Sequence, residues 1–251
     1  MKDQSRHVRV VWADEIPAEQ WQIYREVIDR AHKERIPFAL AGAFALSAYT
    51  HHWRNTKDLD LCVLPRDRQR MIEVVTGLGL TDYYDQKPYD RNWIFRGISA
   101  GVIVDIIWAM ANQRGQVDES WFGDGCVDAR GVQMRVLSPE VILWDKLYIL
   151  QRDRSDWPDV FNLLEAVGGR LDWRDVLRRM GEDIDLLAGA LSVFRWISPR
   201  AACAIPPFVW RRVGIRTPMQ DAGPPCRADH IRLLDSRPWF FPGVQCAEEA
   251  A

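Results

Sequence analysis

No stretch of this chain stays apolar for the length needed to cross a bilayer, so a helical membrane span is not expected. Cysteine is sparse. The five residues, Cys62, Cys126, Cys203, Cys226 and Cys246, are scattered, odd in number and without a C-x-x-C pair. That spacing makes neither a zinc pattern nor a disulfide framework. Excess charge of one sign is missing too: 33 Lys and Arg against 35 Asp and Glu leave a formal charge of -2. No whole-molecule field therefore draws the chain to nucleic acid or membrane. Met1 to Arg9 is polar and charged and lacks the apolar core of a secretory signal. Internal repeats and low-complexity tracts are also absent. These absences lead to the expectation of a reduced, soluble, cytoplasmic protein.

Apolar side chains, by contrast, are plentiful. They make up 47% of the 251 residues, with 12 tryptophans, enough to bury a substantial core in one generous domain or two small ones. An entry strand is expected at Val8 to Trp12. After Pro17, Trp21, Tyr24, Val27, Ile28 and Ala31 fall on one helical face. Phe38 to Ala41 reads as a buried strand that turns at Gly42 into a helix over Phe44 to Tyr49. Asp58 to Leu64 reads as the next strand, Arg66 to Leu78 as a helix, and Asn92 to Arg96 and Val102 to Trp108 as two more strands. Gly123, Gly125 and Gly131 are expected to break the following region into turns before a last strand, Val132 to Leu137. From Ser138-Pro139 the texture becomes helical, through roughly Arg152, then Asp156 to Val167, Trp173 to Met180 and Asp183 to Trp196.

The chemistry concentrates in carboxylates. Asp58 and Asp60 are one residue apart at a strand start, so both project from the same face. Two such charges repel unless a cation lies between them, and a hard divalent ion with oxygen ligands resolves the conflict. The plainer reading is a solvated strand start. Asp105 interrupts the apolar run Val102 to Trp108, where an ionised carboxylate is costly unless it is paired or coordinates a metal. It is either a third metal ligand beside Asp58 and Asp60 or the partner of an arginine. Gly42, where a strand feeds a helix, would offer backbone N–H groups to an anion. Arg54 and Thr56, just before Asp58, are further donors or simply cap the loop.

Leu40-Ala41-Gly42-Ala43-Phe44-Ala45-Leu46, followed by Arg54-Asn55-Thr56-Lys57-Asp58-Leu59-Asp60-Leu61, resembles the signature of the nucleotidyltransferase superfamily. There a strand–turn–helix precedes a strand bearing D-x-D, and a later strand supplies a third carboxylate, a position Asp105 matches. Leu143 to Tyr148 with Arg152 to Val160 is similar to the helical segment of AbiEii-like toxins. The resemblance implies an α+β fold, a nucleotidyltransferase-type mixed sheet flanked by helices over residues 1–137. A helical domain over 138–197 would complete the cleft. It also implies Mg²⁺- or Mn²⁺-dependent transfer of a nucleoside monophosphate from an NTP to an acceptor: a tRNA, a protein hydroxyl or a small molecule. Asp58, Asp60 and Asp105 would be catalytic and bind metal, with Asp105 as ligand or base. Gly42, Ala43, Arg54, Thr56, Lys146 and Asp159 would serve the nucleotide, Lys146 by reaching the triphosphate. A toxin-type member also implies an antitoxin-like protein partner.

Residues 198–251 form a Pro- and Arg-rich segment expected to dock on the body. Arg195, Arg200, Arg211, Arg212 and Arg216, interleaved with Trp196, Phe208 and Trp210, could form an RNA-binding surface. The competing and preferred reading is that the aromatics are core and the arginines cover it. Two readings compete with an active transferase. One is an inactive nucleotide-binding or interaction module, favoured by Ala43 in place of a second Gly or Ser and by a lengthened loop before Asp58. The other is a phosphohydrolase using the same carboxylates on water.

Overall fold

Helical periodicity at the start of the chain is realised as helix. The computed structural model describes residues 7–9, 11–52, 56, 58–218, 226–234 and 246–247. Strand β1 (His7–Arg9) is shorter than expected and gives way to a 3-10 turn, Val11–Glu15. Helix α1 (Ala18–Lys33) buries the expected face, Trp21, Tyr24, Val27, Ile28 and Ala31. Strand β2 (Phe38–Leu40) is buried throughout, and helix α2 (Gly42–Thr50) begins at the glycine itself. Strand β3 (Asp58–Val63) alternates half-buried Asp58 and Asp60 with buried Leu59 and Leu61. Then come α3 (Arg68–Gly77), a short β4 (Thr81–Asp82), β5 (Ile94–Ser99) and β6 (Val102–Ile107).

The region after β6 departs from expectation. Gly123 and Gly125 do not make turns but lie within strand β7 (Phe122–Ala129), which pairs with β8 (Val132–Leu137). The ladder shifts register between Phe122 and Cys126, as a bulge does. A Cβ on Gly123 would meet the Val136 carbonyl oxygen at 2.9 Å, so the glycine admits a close approach of the two strands.

The eight strands form one sheet in the order β1-β7-β8-β2-β3-β6-β5-β4. It is mixed: β3 runs parallel to β6, whereas β5 and β6 are antiparallel, as are β2 and β3. Helices α1 and α3 pack on β6, and α2 packs on β3 and β8. This is an α+β fold, a mixed sheet flanked by helices, and it occupies the first of two compact units, Met1–Ser138.

The second unit, Pro139–Ala251, is helical: α4 (Pro139–Leu147), α5 (Trp157–Val167), α6 (Trp173–Met180), α7 (Ile184–Ile197), α8 (Pro199–Ala202), α9 (Pro207–Arg212) and α10 (Ala228–Leu234). The first of these stops well before Arg152, because Leu150 and Ser155 bridge across a tight loop. Strands β9 (Cys226–Arg227) and β10 (Cys246–Ala247) pair in parallel, with Cys226 in register with Cys246. Cys226 is disulfide-bonded whereas Cys62, Cys126 and Cys203 are not, which corrects the expectation of cysteines reduced throughout. Among the described residues no helix is long and apolar enough to cross a membrane. The apolar stretch Arg237 to Pro242, expected to dock on the body, lies outside the described residues.

Candidate active site

Strand register builds a charged row across the middle of the sheet. In the parallel β3–β6 pair Asp60 lies opposite Asp105, and in the antiparallel β6–β5 pair Asp105 lies opposite Arg96. Residues paired across a sheet share a face, and Asp58 joins them by the two-residue period. Asp105 is 1% exposed, and both its oxygens are engaged. Arg96 donates from Nε to Oδ1 at 2.8 Å and from Nη2 to Oδ2 at 2.5 Å. This two-pronged fork is the strong form of a carboxylate–guanidinium pair. Burial pushes the Asp105 carboxyl up, and Arg96 offsets that only in part. The hydrogen bonds to Asp105 hold the Arg96 guanidinium firmly charged against its own desolvation, with Asp58 and Asp60 adding to the effect. Of the two readings open for Asp105 in the sequence, the arginine partner is present.

Gly42 explains how α2 meets this row. Its φ of +57° favours glycine, and a Cβ there would fall 1.8 Å from Asp60 Oδ2. The first residue of the helix therefore lies directly against the Asp60 carboxylate, at a helix end that favours negative charge. Ala43 follows in the first turn, and Ser47 Oγ donates to its carbonyl oxygen at 2.9 Å. Thr56 Oγ1 donates to Asp58 Oδ1 at 2.9 Å. Gln20 on α1 donates to the Thr56 carbonyl at 3.1 Å and to the Tyr24 hydroxyl at 2.8 Å, linking that loop to the helix. Burial drives the Tyr24 phenol far above its ordinary range despite the Gln20 bond, and Asp58, Asp60 and Asp105 push it further. Arg54 lies outside the described residues. Nothing in the sequence marks Arg96 or Gln20 as site residues, and Tyr24 reads there only as part of the apolar face of α1.

In the second unit, Lys146 is buried, neither snorkelling nor at a surface. Its Nζ donates to Asp156 Oδ2 and to Asp159 Oδ2, both at 2.7 Å, which ties α4 to the start of α5. Desolvation works against its charge, but Asp159 and Asp156 outweigh it and hold the ammonium above its ordinary range. Asp156 is held below the usual carboxylate range, its burial outweighed by Lys146 and Arg154. Asp159 is thus an interior partner and no helix-surface charge. Of the Arg-rich segment, Trp210 is core, whereas Arg200, Arg211, Arg212 and Arg216 are exposed, along with Trp196 and Phe208. Arg195 is half-buried and donates to the Arg216 carbonyl.

The donor set at Asp58 and Asp60 suits a hard divalent ion. Among the described residues no group of three or more His, Cys, Asp or Glu side chains is arranged to hold a metal on its own. Mg²⁺ does not require such a cage, because it commonly takes one or two carboxylates and completes its shell with substrate phosphates and water. Asp58 and Asp60 fit that pattern.

The D-x-D of β3 and the carboxylate opposite it on β6 lie where the sequence's resemblance to nucleotidyltransferases leads one to expect them. Residues 27–183 match the family model for the nucleotidyl transferase AbiEii toxin of type IV toxin–antitoxin systems, and the chain belongs to that family. No curated protein matches it. Among solved structures it is similar to the antibiotic-resistance factor ANT(2″)-Ia, with 17% identity over 72% of this chain and 93% of that one and a TM-score of 0.46. It is also similar to the lincosamide antibiotic adenylyltransferase LnuA bound to lincomycin, with 16% identity over 59% and 96% of the two chains and a TM-score of 0.42. An antigenic nucleotidyltransferase-like protein from Paracoccidioides brasiliensis gives 16% identity over 70% and 94% and a TM-score of 0.39. At that level of likeness nothing about substrate or mechanism transfers.

Proposed function

We propose that this chain moves a nucleoside monophosphate from an NTP onto an acceptor hydroxyl, using Asp58 and Asp60 to hold Mg²⁺ or Mn²⁺. The observation that carries this reading is the placement of both carboxylates on one sheet face, beside Asp105, with the start of α2 packed against Asp60. In such a reaction the acceptor oxygen bonds to the α-phosphorus, the bond to the β-phosphate bridge breaks, and pyrophosphate leaves. The hydroxyl proton passes to a carboxylate of the row or to solvent. The cation, when bound, supplies positive charge to the triphosphate. The protein's own contribution is position. Thr56 fixes one oxygen of Asp58, and Gly42 lets the chain turn into α2 without displacing Asp60.

The acceptor is a tRNA, a protein hydroxyl or a small molecule. The exposed arginines Arg200, Arg211, Arg212 and Arg216 support an RNA, and an antitoxin-like protein is the partner to seek. A second reading, a module that binds without turnover, draws support from the engagement of both Asp105 oxygens by Arg96 and from the lack of a hydroxyl at Ala43. Calorimetric titration of the four NTPs, with and without Mg²⁺, tests the first reading. One NTP should bind only with the metal, and the Asp58→Asn/Asp60→Asn variant should lose it. Transfer of label from that NTP, carried on its α-phosphate, then separates turnover from mere binding. Equal binding by the variant would dismiss the site.

A further inference from the structure

Three carboxylates on one face are a poor reception for a triphosphate. Even with a divalent ion on Asp58 and Asp60, a substrate carrying several negative charges meets Asp105 immediately beside them. The row ends, however, in a cation. Arg96 uses Nε–H and one N–H of Nη2 on Asp105. A guanidinium has five donors in a rigid plane, and the rest of this one is uncommitted: Nη1 makes no hydrogen bond among the described residues. The Arg96 side chain is 30% exposed while its partner is 1% exposed, so the arginine keeps access to solvent that the aspartate lacks. Its backbone is fixed as well. The Arg96 N–H donates to the Tyr89 hydroxyl at 2.9 Å, and that hydroxyl donates to Asp82 Oδ1 at 2.8 Å. The charges of Asp58 and Asp60 reach the guanidinium, which places it within their field.

We propose that Arg96 is a phosphate-binding residue of this site and that Asp105 is the positioning residue that aims it. This rests on the nucleotidyltransferase reading and adds the group that receives the polyphosphate. A planar fork clamped along one edge loses little further freedom when its other edge closes on phosphate oxygens. Buried and doubly bonded, Asp105 serves the substrate through the arginine.

The test measures two affinities on the folded full-length chain: inorganic tripolyphosphate in the presence of Mg²⁺, by calorimetry, and Mn²⁺ alone, by electron paramagnetic resonance. Arg96→Gln is expected to weaken tripolyphosphate at least tenfold, while Mn²⁺ binds as well as before or more tightly, since a cation has left its neighbourhood. A variant that merely misfolds weakens both. Arg96→Lys, which keeps the charge without the fork, is expected to stay several-fold weak for tripolyphosphate.

Asp105→Asn is the sharper arm. Removing a negative charge should by itself strengthen anion binding, whereas loss of the clamp should weaken it. We expect a several-fold loss. A gain in Asp105→Asn, or tripolyphosphate affinity unchanged in Arg96→Gln, overturns the proposal. If Arg96→Gln changes nothing while Asp58→Asn/Asp60→Asn abolishes NTP binding, this assignment fails and the nucleotidyltransferase reading stands. If the unaltered chain binds neither tripolyphosphate nor NTP, both fall.

Discussion

Gly42 and Asp60 are in such close contact that one methyl group cannot be placed between them. A Cβ on Gly42 would lie 1.8 Å from Asp60 Oδ2, and the residue has a φ of +57°. Gly42→Ala therefore combines a left-handed backbone strain of roughly 1–3 kcal/mol with forced displacement of a carboxylate assigned to the metal. Mn²⁺ affinity is expected to fall at least tenfold while the melting temperature drops only a few degrees. Mn²⁺ binding by Gly42→Ala at the unaltered level would show that Asp60 is not a ligand.

The Lys146 cluster predicts a different balance. Lys146 is 8% exposed at its side chain and bridges two carboxylates exposed by 7% and 6%. Lys146→Met leaves Asp156 and Asp159 buried without their cation, at a cost of about 3–5 kcal/mol. Arg154, which also bonds Asp156, keeps the loss toward the lower end. Urea denaturation measures it, and adding Asp156→Asn and Asp159→Asn should recover most of it. A variant of ordinary stability that binds NTP weakly would instead restore Lys146 to the triphosphate.

Much of this architecture was legible, and the failures have definite causes. Helix α1 could be read because its apolar positions repeat at the helical period, and β3 and β6 because each carries an apolar run around isolated aspartates. Asp58, Asp60 and Asp105 could be picked out because a carboxylate inside an apolar strand needs a reason. Arg96 is not legible as a site residue because the sequence pattern ends the strand before β6 at Arg96, whereas the strand continues to Ser99. With both strands at full length, Ala100 and Gly101 form a two-residue turn with φ of +49° and +77°. Counting back from Ser99 opposite Val102 puts Arg96 opposite Asp105. Lys146 and Asp159 stand out in the sequence, but their pairing with each other does not: the ion pairs join two helices, and helical spacing reports only contacts within one.

Glycines 123 and 125 look alike in the sequence, as breakers, and they differ in the sheet. A Cβ on Gly123 would sit 2.9 Å from a backbone oxygen that cannot swing away, whereas Gly125 has open space. Gly123→Ala is expected to cost about 1–3 kcal/mol by forcing the strands apart, and Gly125→Ala to lie within about 0.5 kcal/mol of the unaltered chain. Equal effects in thermal denaturation would remove the strand-approach argument.

Glu165 gives the pH dependence. Ser198 Oγ donates to its Oε1 at 2.9 Å, while Oε2 is buried without a hydrogen-bond partner among the described residues. Burial pushes the carboxyl up from 4.5 to about 7, with Ser198 opposing. Because the folded value lies above the unfolded one, the unfolded chain gives up this proton first as pH rises. Glu165's contribution to stability is therefore full below the unfolded value near 4.5 and is lost as pH climbs through about 7. Glu165→Gln, which cannot ionise, should match the unaltered chain near pH 4 and exceed it at pH 8. The expected excess is on the order of 1–2 kcal/mol, reduced from the full linkage value because the side chain is partly solvated. Urea denaturation at the two pH values decides it. A constant difference between the proteins would mean that Glu165 titrates as an ordinary surface carboxylate, and a variant less stable at pH 8 would mean that the ionised form is the one the fold prefers.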